Sequence, residues 1–332
     1  MYTIFICIKY FIYMNKRYYR THLNCNNNVN IMTVFSPSYN RYSMFFMKLI
    51  ISKSKITVIF CLLLGLTSCS KTNVVNKINF APSYKSEILS CETSFTQQNK
   101  DWHYQQLQFF ISNIAVKNKQ GSWHTWLMKK NAFQNQNIAL IGENCADKKS
   151  SKNKNNHWSI EFSEQLNLHD FTALRFTLGV PFEFNHLNPL TQPSPLNDPS
   201  MFWVWQTGHK FLRLELASKT DSWLFHLGST GCKAPSSVRS PKDQCRQPNR
   251  VDVELELPVV NSTGAEHAVN MQNNTLQINF LLDKLLTNVK LNKNHFCQSS
   301  PENKTCQILF SSLNLISENT NKKAVFEVNI DE

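Results

Sequence analysis

The sequence predicts a mainly β fold, an antiparallel β-sandwich with long loops and minor helix. Three segments carry this prediction, because residues 172–180, 211–216 and 251–257 each alternate apolar and polar side chains. In the third segment, for example, Val251 and Val253 alternate with acidic residues. A period of two residues indicates strands with one face in the core and one in water, an arrangement typical of antiparallel sheets.

Other elements follow in chain order. Residues 102–116 alternate loosely and precede a turn signal at 118–121, so we expect a strand, a turn and a strand. Residues 137–141 predict a short buried strand, and the Lys-, Ser- and Asn-rich residues 146–156 predict an exposed loop. Residues 276–286 combine a strand with a short helix over their last six positions.

The longest apolar run, residues 56–66, is too short to span a bilayer, which takes about 20 residues. Basic residues precede it, and Leu66, Thr67, Ser68 and Cys69 follow. This order is that of a secretion signal, and its end resembles a bacterial lipobox, in which the cysteine is acylated. We therefore expect a signal peptide over 47–68 and lipidation at Cys69.

This interpretation divides the chain. Residues 1–46 precede a complete signal peptide. We expect that they result from a start codon assigned too early and are not part of the protein. The polar residues 69–88 are expected to be a lipidated tether, and residues 89–330 a single β-rich domain. Ser70 after the lipidated cysteine favours an outer-membrane address. We thus expect a lipid-anchored protein of the cell envelope, on the periplasmic face of the outer membrane.

Removing the leader changes the charge. Residues 1–69 hold eight Lys or Arg and no Asp or Glu, so the remainder has 27 basic and 23 acidic residues. Its net charge is then +4 rather than the +12 of the whole chain. No basic stripe remains that would indicate a nucleic-acid partner.

The cysteines of the expected mature domain are even in number, which favours disulfides in an exported protein. They are Cys91, Cys145, Cys232, Cys245, Cys297 and Cys306. Six cysteines allow 15 pairings; proximity favours Cys232–Cys245 and Cys297–Cys306, which leaves Cys91–Cys145. The alternative is a thiolate metal site, although no C-x-x-C spacing supports it.

One segment, residues 178–232, concentrates the candidate chemistry. It holds His186, His209, His226 and Met201 around a proline-rich loop. Imidazole and thioether groups in an oxidising compartment suit copper better than magnesium or calcium. Each histidine taken alone is more often a core or surface group than a ligand, and tryptophans at 203 and 205 more often pack in the core.

The same segment argues against an enzyme. Ser229 lies between glycines, but the order is not the G-x-S-x-G of a nucleophile elbow. The glycines 228 and 231 also lack the Gly-Lys-Ser/Thr end of a phosphate-binding loop. No convincing acid–base pair is present, so we expect a binding protein without catalysis of its own.

Several blocks in this chain resemble the MbnP-like family, also called the metallo-mystery-pair four-Cys-motif proteins. The matching blocks are 107–116, 174–186, 193–197, 201–206, 210–214, 226–232 with Cys245, 248–250, and 297–313. Together they cover most of residues 90–315. Two positions depart from the pattern, since His209 stands where many members have Tyr and Phe133 where many have Trp.

The resemblance implies exported copper binding and a di-haem cytochrome c peroxidase-like partner that oxidises a tryptophan to kynurenine. Carried over to this chain, it makes His186 and His226 the candidate ligands, with Met201 as a third. Trp203 and Trp205 become the candidates for modification. The alternative that stays open is a metal-free binding or scaffold lipoprotein in which these side chains only pack or contact a protein or glycan.

Overall fold

The protein is described by a computed structural model that covers residues 74–146, 156–203, 208–236, 239–257, 271–272, 274–316 and 324–329. Fifteen strands occur in these residues. The first eight are β1 (Val74–Tyr84), β2 (Glu87–Ile88), β3 (Phe95–Gln97), β4 (Lys100–Asn118), β5 (Trp123–Thr125), β6 (Ile138–Asn144), β7 (Asn156–His157) and β8 (Ser159–Asn167). The others are β9 (Phe171–Leu178), β10 (Lys210–Ala217), β11 (Ser222–Gly228), β12 (Val251–Glu256), β13 (Met271–Gln272), β14 (Thr275–Leu281) and β15 (Phe326–Val328).

The strands form two sheets. The larger, nine-stranded sheet is built around β4, which pairs with β3, β5, β6, β9 and β10. The smaller, six-stranded sheet contains β1, β2, β8, β13, β14 and β15. Among the ladders of the described residues, β1–β14 is parallel and the others are antiparallel. The predicted class, a mainly β antiparallel sandwich, is confirmed.

Aromatic side chains fill the space between the sheets. Phe80, Phe280 and Phe326 come from the smaller sheet, and Phe109 and Phe176 from the larger one. The Phe80 and Phe109 rings meet edge to face at 5.8 Å, and Phe176 meets Phe326 likewise at 5.3 Å. All five are essentially inaccessible to water. Burial of each contributes about 1.5–3 kcal/mol, so this cluster holds the two sheets together.

Within the residues that the structure describes, three short helices accompany the strands: α1 (Phe182–Asn185), α2 (Leu282–Leu285) and α3 (Lys304–Ser312). The predicted helix at the end of residues 276–286 is confirmed by α2. The helix α3 was not predicted; it begins where the Asn303 side chain accepts a hydrogen bond from the Cys306 backbone. No helix in the described ranges is long and apolar enough to cross a membrane.

The three expected disulfides are all present. They join Cys91 to Cys145, Cys232 to Cys245, and Cys297 to Cys306. The first ties the loop after β2 to the end of β6, and the third ties the loop beside β11 to α3. The pairing that proximity favoured is therefore the one observed, and these six cysteines are not thiolates while the three bonds are intact.

The expected tether over 69–88 is wrong from Val74 onward. Residues Val74–Tyr84 form β1, which lies between β8 and β14 in the smaller sheet. Within this strand Val75, Ile78 and Phe80 point into the core. The ladder between β1 and β8 shifts register between Val75 and Lys77, and this irregularity breaks the alternation by which the strand could have been predicted. Cys69, Trp205 and most of the predicted 146–156 loop lie outside the described residues.

Candidate functional site

His226 lies on β11, in the cross-strand row that pairs it with Arg213 of β10. His226 is 6% exposed, and its Nε2 is 2.8 Å from Oε1 of Glu215. The pKa of His226 is lowered, because the effect of burial is larger than the opposing effect of the Glu215 carboxylate. The ring is thus neutral at pH 7, with its one proton on Nε2, from where it donates to Glu215.

Glu215 is held in the charged form. His226 is the main cause that lowers the pKa of this carboxyl to about 2, and Arg213 adds to the effect. The Arg213 Nε donates to the same Oε1 at 2.8 Å. A carboxylate at this position accepts a hydrogen bond from the Nε2 N–H and so selects one tautomer of the imidazole.

The second nitrogen of His226 is the chemically notable atom. Nδ1 is buried and has no hydrogen-bond partner among the residues that the structure describes. In the tautomer that Glu215 selects, Nδ1 carries a lone pair. A carboxylate that bonds one imidazole nitrogen and leaves the other available is the arrangement found behind many histidine metal ligands. Nδ1 without a partner, together with the Glu215 carboxylate that bonds Nε2, therefore fits a borderline metal ion such as copper.

Trp203 lies beside this imidazole, with the two ring centroids 6.3 Å apart. The indole also packs against Gly228, where an added Cβ would be only 2.6 Å from the ring. Lys210 lies 5.9 Å from the Trp203 centroid and donates to the Ser200 carbonyl oxygen at 2.8 Å. Burial is the main cause that lowers the pKa of Lys210 to about 8. Glycine on one side and a tethered ammonium on another thus fix the indole next to His226.

A polar network extends from this pair under the proline-rich loop. Arg213 Nη1 donates to the Ser200 carbonyl oxygen at 2.9 Å, and the Ser200 hydroxyl accepts from Gln106 at 3.2 Å. Gln106 in turn donates to Gln108, which lines a cavity of about 430 Å³ together with Asp198. The loop is therefore tied by hydrogen bonds to the same face of the sheet that carries His226.

His186 has different partners. It follows α1, and its Nε2 lies 3.1 Å from the Asn185 amide nitrogen and 3.5 Å from the Cys245 sulfur. His186, Cys232 and Cys245 place their ligand atoms within 4.8 Å of one another. Since the two sulfurs are joined in a disulfide, they are not thiolate ligands in this state. His226 does not belong to this group.

The other predicted residues are less available to a ligand. Met201 is completely buried in the core, in a short 3-10 turn. His209 is also fully buried, and its two ring nitrogens lie 3.0 Å from the carbonyl oxygens of Asn185 and Leu196. A metal at His209 would have to displace one of these contacts, so this histidine belongs to the framework. Trp205 lies outside the described residues.

Sequence reasoning missed Glu215, Lys210 and His157. Glu215 had a partial signal, because the alternation of β10 placed it on the polar face, where it could meet a cross-strand neighbour. Lys210 had none, because it lies out of phase with Arg213 and Glu215, and the β10–β11 ladder is irregular directly after it. His157 had no sequence signal either. In the structure its Nε2 is buried without a partner in the described part of the chain, and its ring stacks on Phe133 at 4.5 Å. Burial also lowers the pKa of His157.

The fold and site define a disulfide-bonded β-sandwich with a buried, carboxylate-oriented imidazole beside a tryptophan. The family model for MbnP matches residues 72–307, more than half of the chain, and the protein belongs to the MbnP family. Among solved structures, MbnP from Methylosinus trichosporium is similar, with a TM-score of 0.62 and 17% identity. The match covers 77% of this chain and 98% of that chain. Comparison with curated proteins found no match.

Proposed function

We propose that this chain is an exported, lipid-anchored copper-binding protein of which His226 is the principal ligand. The observation that carries the proposal is the buried Nδ1 of His226, which has no partner in the described residues while Nε2 bonds Glu215. A buried polar atom without a partner is costly, and a metal ion would remove that cost. Membership of the MbnP family is consistent with metal handling.

His226 is a stronger candidate ligand than the other two predicted residues, His186 and Met201. Neutral imidazole binds Cu(I) and Cu(II), and copper would act here as a bound ion without a catalytic step by the protein. His186 and Met201 stay predictions: His186 is engaged with Asn185 and Cys245, and Met201 would have to leave the core. We therefore expect the loss of His226 to weaken copper binding more than the loss of either of the others.

We further propose that the protein is the substrate of a di-haem cytochrome c peroxidase-like partner and is not itself an enzyme. Trp203, which packs beside His226, is the first candidate for oxidation to kynurenine, and Trp205 is the second. Two peroxide molecules each supply one oxygen atom, one to C2 and one to C3 of the indole, the C2–C3 bond is cleaved, and the peroxides leave as two waters. Hydrolysis of the resulting formyl group then releases formate and leaves kynurenine.

The anchor is part of the same proposal. The apolar run at 56–66 followed by Cys69 supports lipidation at that cysteine and a position on the periplasmic face of the outer membrane. Mass spectrometry of the mature N-terminal peptide tests this. We expect a lipid-modified Cys69 with residues 1–68 absent, and an unmodified peptide that contains residues before Cys69 would exclude the anchor.

Copper stoichiometry tests the ligand assignment. The protein is loaded with excess Cu(I), desalted against a competing chelator and analysed for metal in wild type, His226→Ala, His186→Ala and the double variant. We expect about one copper per wild-type chain and none in the double variant, with His226→Ala the more damaging single change. His103→Ala, an exposed position on β4, is the control and should keep the full copper content. Full retention in the double variant would overturn the assignment.

The oxidation is tested separately. Wild type, Trp203→Phe and Trp223→Phe are treated with the partner and peroxide, and their peptides are analysed by mass spectrometry. We expect one tryptophan peptide to show the replacement of a carbon by an oxygen in wild type and Trp223→Phe. An unchanged modification in Trp203→Phe would move the site to another tryptophan, and no modification in wild type would remove this function. A protein that takes up neither copper nor oxygen would favour the metal-free scaffold alternative.

A further inference from the structure

We infer that His186, Cys232 and Cys245 form a second metal site, which is closed while the disulfide is intact and opens when it is reduced. The ligand would be a thiophilic ion with filled d orbitals, such as Zn(II) or Cu(I), held by two thiolates and one imidazole. This inference does not rest on the proposed function, because it requires neither His226 nor Trp203.

The geometry of the three ligand atoms matches such an ion. They already lie within 4.8 Å of one another, and the His186 Nε2 is 3.5 Å from the Cys245 sulfur. Tetrahedral zinc with typical Zn–N and Zn–S bonds separates nitrogen from sulfur by about 3.6 Å and the two sulfurs by about 3.8 Å. The separation between His186 Nε2 and the Cys245 sulfur therefore already matches such an ion. The two sulfurs must move apart on reduction, and the Cys232 sulfur must settle at about the same distance from the imidazole as Cys245.

The orientation of His186 is set from outside the cluster. The Asn185 side-chain oxygen accepts from the His209 backbone N–H at 2.9 Å, so the Asn185 amide nitrogen is the atom that faces His186. Because that nitrogen donates, the His186 Nε2 must be an acceptor and carries a lone pair on the side of Cys245. A bound metal ion would replace the Asn185 N–H as the partner of this lone pair.

Other contacts keep the two cysteines together when their bond is broken. Thr230 and Gln247 form an isolated antiparallel bridge through two backbone hydrogen bonds of 2.9 and 3.0 Å. Arg246 also donates to the Gly231 carbonyl at 3.2 Å. Gly231 and Arg246 are adjacent to Cys232 and Cys245, and Thr230 and Gln247 lie one position further away. We therefore expect the two chain segments to stay together on reduction. The Ser240 hydroxyl donates to the His186 carbonyl and ties the intervening loop to the third ligand.

Burial indicates how the bond would open. Cys232 is partly exposed, whereas Cys245 and His186 are 4% and 3% exposed. The thiolate of an external dithiol reductant attacks the Cys232 sulfur, and Cys245 leaves as a thiolate. The second thiol of the reductant then attacks the reductant sulfur in the mixed disulfide and releases Cys232 as a thiolate. The reductant becomes a disulfide, the protein gains two electrons and two protons, and metal binding releases both protons.

Cadmium titration tests this site, because thiolate-to-cadmium charge transfer gives an ultraviolet band that disulfides do not give. The mature protein, which is expected to lack the cysteines before Cys69 and to be lipidated at Cys69, is titrated with Cd²⁺ alone before and after reduction by a phosphine that does not bind the metal tightly. We expect no band before reduction and, after reduction, one cadmium bound with two sulfurs. The paired variant Cys232→Ser with Cys245→Ser should show no tight binding in either state.

The matched control is Cys91→Ser with Cys145→Ser. It removes a different disulfide, in which both cysteines are partly buried. It should keep the cadmium band in full, as should His226→Ala, which separates this site from the proposed copper site. His186→Gln keeps both thiols and should bind cadmium about 10-fold more weakly or worse. A band that persists in the Cys232/Cys245 variant, or unchanged affinity in His186→Gln at equal thiol content, would overturn the inference, and so would the absence of any band in reduced wild type.

Discussion

Replacing Glu215 by glutamine removes the charge that orients His226 and leaves the shape of the side chain almost unchanged. In the folded protein the pKa of this carboxyl falls from 4.5 to about 2, chiefly because of His226 and then Arg213. A pKa lowered on folding adds stability above the unfolded value. The size of the fall corresponds to about 3 kcal/mol at neutral pH. Since the side chain is 27% exposed, solvent screening reduces this, and we expect a loss of about 2–3 kcal/mol.

The sign of the pH dependence follows from the same values. The stability from Glu215 is fully present above pH 4.5 and is lost as the pH falls from there towards about 2. The difference between wild type and Glu215→Gln should therefore be largest at pH 7 and shrink steadily below pH 4.5. At pH 2 the two proteins should have nearly the same free energy of unfolding.

Urea unfolding at pH 7, 5, 4 and 3, with the disulfides intact, measures this difference. Glu256→Gln is the matched control, because Glu256 is exposed on β12 and its loss should change the stability by about 0.5 kcal/mol or less. If Glu215→Gln were as stable as the control at pH 7, or if its deficit did not change with pH, the assigned ion pair would be wrong.

Three further outcomes are expected. Gly228→Ala should cost about 1–3 kcal/mol and shift tryptophan fluorescence, since the new methyl would lie 2.6 Å from the Trp203 ring; an unshifted spectrum would contradict the packing. Removing the Cys91–Cys145 disulfide, which spans 54 residues, should lower the free energy of unfolding by about 4 kcal/mol, and removing Cys232–Cys245, which spans 13, by about 3 kcal/mol. Thermal unfolding of the two serine double variants shows which loss is larger. Burial lowers the pKa of His157, His209 and His226, so stability should fall as the pH drops below 6.5, where the unfolded chain binds protons first; thermal unfolding at pH 7.5 and 5.5 checks this, and a Tm that rises at acid pH would contradict it.

The β class and the disulfide pairing were predictable because they follow from local rules. Alternation marked β9, β10 and β12, and proximity along the chain selected the cysteine pairs. The loose alternation over residues 102–116 has a structural cause. Asn113 adopts a left-handed backbone with φ of 56°, and the register of β4 against β9 shifts between Ser112 and Ala115. The bulge interrupts the period of two within one long strand.

The site was less predictable because it depends on contacts across strands. The sequence singled out His226 and Trp203, but not the partner that makes one imidazole nitrogen available. Glu215 reaches His226 only through the β10–β11 register, which no local pattern specifies. His209 illustrates the opposite error, since an imidazole in a candidate segment proved to be buried between two backbone carbonyls. The β1 strand was missed because a register irregularity between Val75 and Lys77 interrupts its alternation.

The central claim is that Nδ1 of His226 is a free lone pair that receives copper. Long-range proton–nitrogen NMR correlation on uniformly ¹⁵N-labelled protein, recorded before and after one equivalent of Cu(I), observes this atom directly. Before copper, Nδ1 should appear without a proton and Nε2 with one, in the tautomer that Glu215 selects. After copper, the His226 Nδ1 signal should move while Nε2 stays protonated. A proton on Nδ1 in the metal-free protein, or an unmoved Nδ1 in a protein that has bound copper, would contradict the account.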